Sequence, residues 1–292
     1  YDISACLVGS EMCIRDRPKA YLNELMMDDN SGQPSAKEVF DTTPYTILVV
    51  DDNPDMTDFL KRTFEGYFKR IIIAGDGVEA LQLVRSHVPD IIVSDVMMPR
   101  MNGYKLCKTI KEDINISHIP VILLTARDDR QSQISGYKNG ADGYLSKPFE
   151  VEMLMELIRN RLKNREYTKK RYLNAGLIPT PEESTISLTD ETFLIKLNSI
   201  IQENIENSNL GIQFICQEVG LGRSSLYNKL KALTGMGANE YISKLRIEKA
   251  ITLISGTDMP FSEIAEKTGF TTPSYFSTAF KQYTGETPSQ YK

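Results

Sequence analysis

The chain has 292 residues, 34 basic and 39 acidic, with a formal net charge of −5. That length is enough for two domains, each with its own core. The acidic balance argues against a generally adhesive nucleic-acid binder, and with no apolar run near roughly 18 residues the chain is expected neither to span nor to contact a membrane.

In chain order, residues 6–17 (CLVGSEMCIRDR) resemble a peptide translated from sequencing-adapter read-through. A signal peptide is the alternative, but Glu11, Arg15, Asp16 and Arg17 leave its apolar core too short. Residues 1–17 are therefore expected to be foreign to the fold, with the true upstream protein missing. Residues 18–44 are polar and read as a linker, so that 1–44 precede the first domain.

Four short segments then carry most of the information: Thr46–Asp52 (TILVVDD), Ile91–Pro99 (IIVSDVMMP), Val121–Arg127 (VILLTAR) and Tyr144–Phe149 (YLSKPF). An apolar run of this length bounded by polar residues reads as a strand buried on both faces. Helical pattern between the runs makes the strands parallel. Ligands of such sheets sit at the carboxyl ends of the strands, where Asp51, Asp52, Asp95, Thr125 and Lys147 fall. Three carboxylates, a hydroxyl and an ammonium on one crevice suit a divalent metal and a phosphoryl group. Taken singly, each has a plainer reading. Asp51, Asp52 or Asn53 could cap the helix that starts near Pro54, Asp95 could close a turn, and Lys147 could be a solvated lysine. Independent caps would not converge on one sheet edge. Neither a G-x-G-x-x-G nor a Walker motif follows the first strand.

An amphipathic stretch, Val151–Arg165, follows, with residues 166–188 as a linker marked by Gly176, Pro179 and Pro181. From residue 189 onward the pattern is helical: 190–207, 211–219, 223–233, 239–255, 262–268, 273–283 and 288–291, separated mostly by glycines. Two short pairs, Ile212–Val219 with Arg223–Leu233 and Ser262–Thr268 with Pro273–Tyr283, each read as a helix-turn-helix. Cys6 and Cys13 match no metal or redox spacing, and Cys107 and Cys216 fall on patterned helices and read as buried thiols.

Residues 45–165 resemble the receiver domain of two-component response regulators, a doubly wound, flavodoxin-like α/β fold with a five-stranded parallel sheet. The resemblance implies Asp95 as phosphoacceptor. It implies Asp51, Asp52, Asp95 and the backbone carbonyl of Met97 as Mg2+ ligands, with Thr125 and Lys147 on the phosphoryl oxygens. Tyr144 would be the aromatic switch residue, although a strand tyrosine is more often simple packing. A cis bond before Pro148 is also a family trait, and Met97 and Arg127 flank the site where they could tune hydrolysis of the acyl phosphate.

Residues 189–292 resemble the AraC-type DNA-binding domain, carried by GLGRSSLYNKLKALTG (220–235) and TGFTTPSYFSTAFKQYTGETPSQYK (268–292). The resemblance implies an all-α domain whose two recognition helices enter successive major-groove segments of double-stranded DNA. Candidate base readers are Ser224, Ser225, Tyr227 and Asn228 on the first unit and Ser274, Tyr275 and Thr278 on the second. Arg223, Lys229, Lys231 and Lys281 are expected on phosphates, and Leu226, Leu230, Ile264, Phe276 and Phe280 in packing. Many relatives carry arginine where this chain has Asn228 and Thr278. Residues 190–292 hold ten basic and eleven acidic residues, an unusual balance for a DNA module.

The joint expectation is a non-enzymatic, phosphorylation-controlled transcription regulator. A histidine kinase, in cis or in trans, would phosphorylate Asp95, and the face of the fourth receiver helix and fifth strand would then dimerise or release the DNA-binding half. The layout around NGYKLCKTIKEDINISHIPVILLTA (102–126) looks most like the C-terminal part of a hybrid sensor whose parent could be membrane-anchored, this part being cytoplasmic. The alternative is a phosphorelay or interaction module whose helical half does not read DNA. A metal-dependent phosphatase acting on small substrates is the least supported class.

Overall fold

The computed structural model describes residues 40–126, 140–174 and 187–292. Strands β1 (Thr46–Val50), β2 (Arg70–Ala74), β3 (Ile91–Asp95), β4 (Val121–Ala126) and β5 (Gly143–Lys147) all pair in parallel, in the order β2-β1-β3-β4-β5. This is the expected doubly wound sheet, with β2 (RIIIA) as the strand that none of the four segments contained.

Side chains alternate across the sheet. Leu48, Ile92 and Leu123 face one core with Ala80 of α2 (Gly77–His87) and Leu106 and Ile110 of α3 (Gly103–Glu112). Ile47, Val49, Val93 and Leu124 face the other, with Leu60 and Phe64 of α1 (Pro54–Phe64) and Leu154 and Ile158 of α4 (Val151–Asn174). Asn53, Asp76 and Asn102 cap α1, α2 and α3 through their side-chain oxygens. The Lys147–Pro148 bond is cis.

Helix α4 continues to Asn174, beyond the expected end at Arg165 and into the stretch read as linker. Its extra turns carry good helix formers and a Glu166–Lys169 pair at i,i+3. Tyr172 gives the extension a reason to stay helical, because it is buried in the core of the helical half.

That half comprises α5 (Leu188–Glu203), α6 (Ile212–Val219), α7 (Arg223–Thr234), α8 (Ala238–Gly256), α9 (Phe261–Lys267), α10 (Pro273–Thr284) and α11 (Pro288–Tyr291). The pairs α6–α7 and α9–α10 are the two expected helix-turn-helix units, with α8 between them. The first unit packs around Ile215, Leu226, Leu230 and Leu233. The second packs around Ile264, Phe270, Phe276 and Phe280. Gly269, at φ 72°, is required twice over: it adopts the left-handed region, and a side chain there would collide with the Ile205 carbonyl oxygen.

Candidate phosphoacceptor pocket and nucleic-acid interface

The strand registers bring the expected residues to one sheet edge. Val50 lies opposite Ser94, Asp95 opposite Leu124, and Thr125 opposite Ser146. Asp51, Asp95, Thr125 and Lys147 therefore emerge side by side. The capping role falls to Asn53, which accepts from the Asp55 N–H at 2.9 Å and leaves Asp51 and Asp52 out of the helix cap.

Lys147 Nζ lies 2.8 Å from a carboxylate oxygen of Asp51 and 2.8 Å from one of Asp95. The second Asp51 oxygen accepts from the Asn53 N–H at 2.9 Å, and the second Asp95 oxygen from the Met97 N–H at 3.0 Å. Asp51, Asp95 and Thr125 are buried, and Asp52 is exposed beside them. Met97 is 73% exposed and meets the pocket through its backbone N–H. Tyr144, half-buried on β5, packs against the core that contains Leu106. Arg127 lies outside the described residues, as does the chain between β4 and Gly140.

Burial, and next to it the charge of Asp51, raises the Asp95 pKa, although the Lys147 ammonium and the Met97 N–H counter the rise. Burial works against the Lys147 charge too, but its bonds to both carboxylates outweigh that and raise its pKa. The lysine thus offsets part of the repulsion between two acids held together.

The donor set fits Mg2+, which favours oxygen ligands, keeps several waters and is usually held by one or two carboxylates plus phosphate oxygens. Asp51 and Asp95 would supply the carboxylates, and Asp52 stands next to them on the solvent side. Among the described residues there is no ready-made cluster of three or more acids, histidines or cysteines that would cage a metal.

Two features of the pocket's surroundings were not legible as local motifs. Gly103 has to be glycine, because a side-chain carbon there would collide with the Asp95 carbonyl oxygen. Arg100, at φ 60°, pairs with the buried α2 cap Asp76 and ties the loop after β3 to the start of α2.

In the helical half, Arg223, Ser224, Tyr227, Asn228 and Lys231 of α7 are exposed and Ser225 is half-buried. Ser274, Tyr275, Thr278 and Lys281 of α10 are exposed. Leu226, Leu230, Ile264, Phe276 and Phe280 are buried. Both candidate reading faces are thus open to solvent.

Lys229 corrects an expectation. It is 0% exposed, pairs with Asp190 and donates to Ser117 Oγ at 2.8 Å, so it holds no phosphate. Its position between Leu226 and Leu233, on the core face of α7, was the available signal. Other cations of this half are also engaged: Lys249 with Glu206, Lys267 with Glu263, and the buried Arg246 with the Asn207 carbonyl oxygen.

A model of the response regulator receiver domain matches residues 47–159, and one of a helix-turn-helix domain matches 215–292. Response regulator MprA of Mycobacterium sp. (strain KMS) is 36% identical over 165 residues, 52% of this chain and 70% of its own. Histidine kinase P4 of Formosa agariphila is 41% identical over 247 residues, 85% of this chain and 18% of its own. DNA-binding response regulator MtrA of Mycolicibacterium smegmatis is 36% identical over 136 residues, 47% of this chain. The chain belongs to the response regulators, with a receiver domain followed by an AraC-type helix-turn-helix domain. It spans 18% of the length of the Formosa kinase and 58% of that of MtrA.

Proposed function

We propose that this response regulator is a phosphorylation-controlled, sequence-specific DNA-binding transcription regulator, and that Asp95 accepts the phosphoryl group from a histidine kinase in cis or in trans. The observation that carries the reading is Lys147 Nζ at 2.8 Å from both Asp51 and Asp95 at the carboxyl edge of the sheet. An Asp95 oxygen attacks phosphorus, the acyl phosphate bond forms, and the bond to the donor histidine breaks. Asp51, Asp52, Asp95 and the Met97 carbonyl would hold Mg2+, which when bound neutralises charge on the transferred group. Lys147 and Thr125 hold the phosphoryl oxygens, and Tyr144 responds to the movement of Thr125. The chain itself is no enzyme beyond hydrolysing its own acyl phosphate, and it works in the cytoplasm, as a homodimer when phosphorylated.

On the DNA side, Ser224, Ser225, Tyr227, Asn228, Ser274, Tyr275 and Thr278 read bases, and Arg223, Lys231 and Lys281 hold phosphates. With so few uncommitted cations, a monomer binds DNA weakly and with strong salt dependence, and tight binding requires dimerisation.

A second reading, a phosphorelay or interaction module that reads no DNA, draws on the same scarcity of free basic residues. Selection from a random duplex pool separates the two. With Mg2+ and a phosphoryl mimic, the protein is expected to enrich a repeated motif that Asp95→Ala does not. Enrichment by neither, from folded and phosphorylatable protein, would favour the relay module.

A further inference from the structure

Helix α4 is buried on one side along its length: Leu154, Met155, Ile158 and Leu162 enter the receiver core, and Tyr172 enters the core of the helical half. Its opposite side carries Met153, Glu156, Asn160, Lys163, Tyr167 and Lys170, all exposed. The spacing alternates three and four residues, which gathers them into one stripe about 25 Å long, the pattern of a helix–helix seam.

Two features set this stripe apart from an ordinary solvated face. It holds two large apolar side chains, Met153 at 61% exposure and Tyr167 at 66%. Its charges are also sorted by sign along the helix: Glu152 and Glu156 stand at the receiver end, Lys163 and Lys170 at the effector end. Each acid is separated from each of these lysines by at least about 10 Å of helix, so they cannot pair as i,i+4 partners do. Glu156 pairs instead with Arg159 at 2.9 Å, and its side chain is still 64% exposed. Glu152, Lys163 and Lys170 have no ion pair among the described residues.

A two-fold axis across the helix at Asn160 maps the stripe onto itself with charges and apolar groups matched. Met153 then faces Tyr167 of a second copy, because both lie equally far from Asn160 in sequence. Glu152 and Glu156 fall within one helical turn of Lys170 and Lys163 of that copy. A parallel pairing would set acid on acid and lysine on lysine. Self-complementarity of this kind is what an isologous contact requires. Building on the homodimer reading above, we propose that two copies of this chain associate through the outer face of α4, antiparallel about an axis at Asn160. A single helix face buries less than the roughly 800 Å² per partner of a standard interface, so half-association is expected at about 10–100 μM.

The test is sedimentation velocity of the full chain, with Mg2+ and the phosphoryl mimic, up to about 200 μM. Reversing the acids (Glu152→Lys with Glu156→Lys) or the lysines (Lys163→Glu with Lys170→Glu) should weaken self-association about ten-fold or more, by setting like charges against each other. An equal mixture of the two reversed proteins should associate again, since every facing pair is then opposite in charge. Tyr167→Ser should weaken association as well. Circular dichroism melting checks that each variant is folded. Association unchanged in both reversals would overturn this surface and leave the homodimer reading standing. A parent chain that stays monomeric throughout would overturn both. No recovery in the mixture would overturn the antiparallel pairing. Weaker DNA binding by the lysine reversal, with self-association intact, would assign the stripe to DNA phosphates instead and overturn the proposal.

Discussion

Lys147 is the residue on which the acid pocket turns. Without it, Asp51 and Asp95 would share a buried edge with no cation to offset their repulsion. In the proposed reaction it would also meet charge on the incoming phosphoryl group. Lys147→Met is therefore expected to leave the protein folded and to slow phosphorylation by about 10²-fold, the scale of losing one preorganised electrostatic contact. Stopped-flow phosphorylation from a small-molecule donor checks this, and an unchanged rate would remove Lys147 from the chemistry. The residues of this pocket were readable from sequence because parallel strands buried on both faces appear as unbroken apolar runs, so the polar residue ending each run marks the active edge. Lys229 was not readable in the same way. A lysine on a helix is normally solvated, and its partners Asp190 and Ser117 lie 39 and 112 residues away in sequence.

At the scale of elements, α4, α5 and α7 join the helical half to the receiver. Tyr172 of α4 is built into the effector core, and the Lys244 ammonium bonds the Tyr172 carbonyl oxygen. Thr189 Oγ1 of α5 donates to the Lys111 carbonyl oxygen at the end of α3 at 3.0 Å. Between α5 and α7 sits the buried Asp190–Lys229 pair, capped by Ser117 from the receiver. Burial opposes the Asp190 charge, but the Lys229 ammonium and the hydroxyls of Ser117 and Ser187 outweigh it and hold the carboxyl below its ordinary 3.8. A depressed folded-state pKa contributes stability that is present above the unfolded value and lost as pH falls through the folded one. Stability should thus decline with acidification below about pH 4, and less steeply in Asp190→Asn. Lys229→Met leaves a buried carboxylate unpaired and should cost about 3–5 kcal/mol, while the double variant Lys229→Met with Asp190→Leu should recover most of it. Denaturant unfolding measures both; a double variant no better than the single one would contradict this account of the pair.

For the whole molecule, these contacts make the receiver and the first helix-turn-helix unit neighbours in one structure, while the reading faces of α7 and α10 stay exposed. No described element of the receiver covers either candidate reading face. A single calorimetric unfolding transition, with van't Hoff and calorimetric enthalpies equal, is expected for the receiver together with that unit; separate receiver and effector transitions would show that the junction is too weak to couple them. The two-domain order, the sheet and both helix-turn-helix pairs were legible because each rests on local periodicity and glycine punctuation. The junction was not, since it joins groups far apart in sequence and continues a helix through residues whose composition suggested a linker. The central claim is that Asp95 accepts a phosphoryl group, and intact-protein mass spectrometry with peptide mapping tests it most directly. With Mg2+ and a small phosphodonor, the protein should gain one phosphoryl group on Asp95, and Asp95→Asn should gain none. A phosphoryl group on another residue, or none on the folded parent chain, would contradict it.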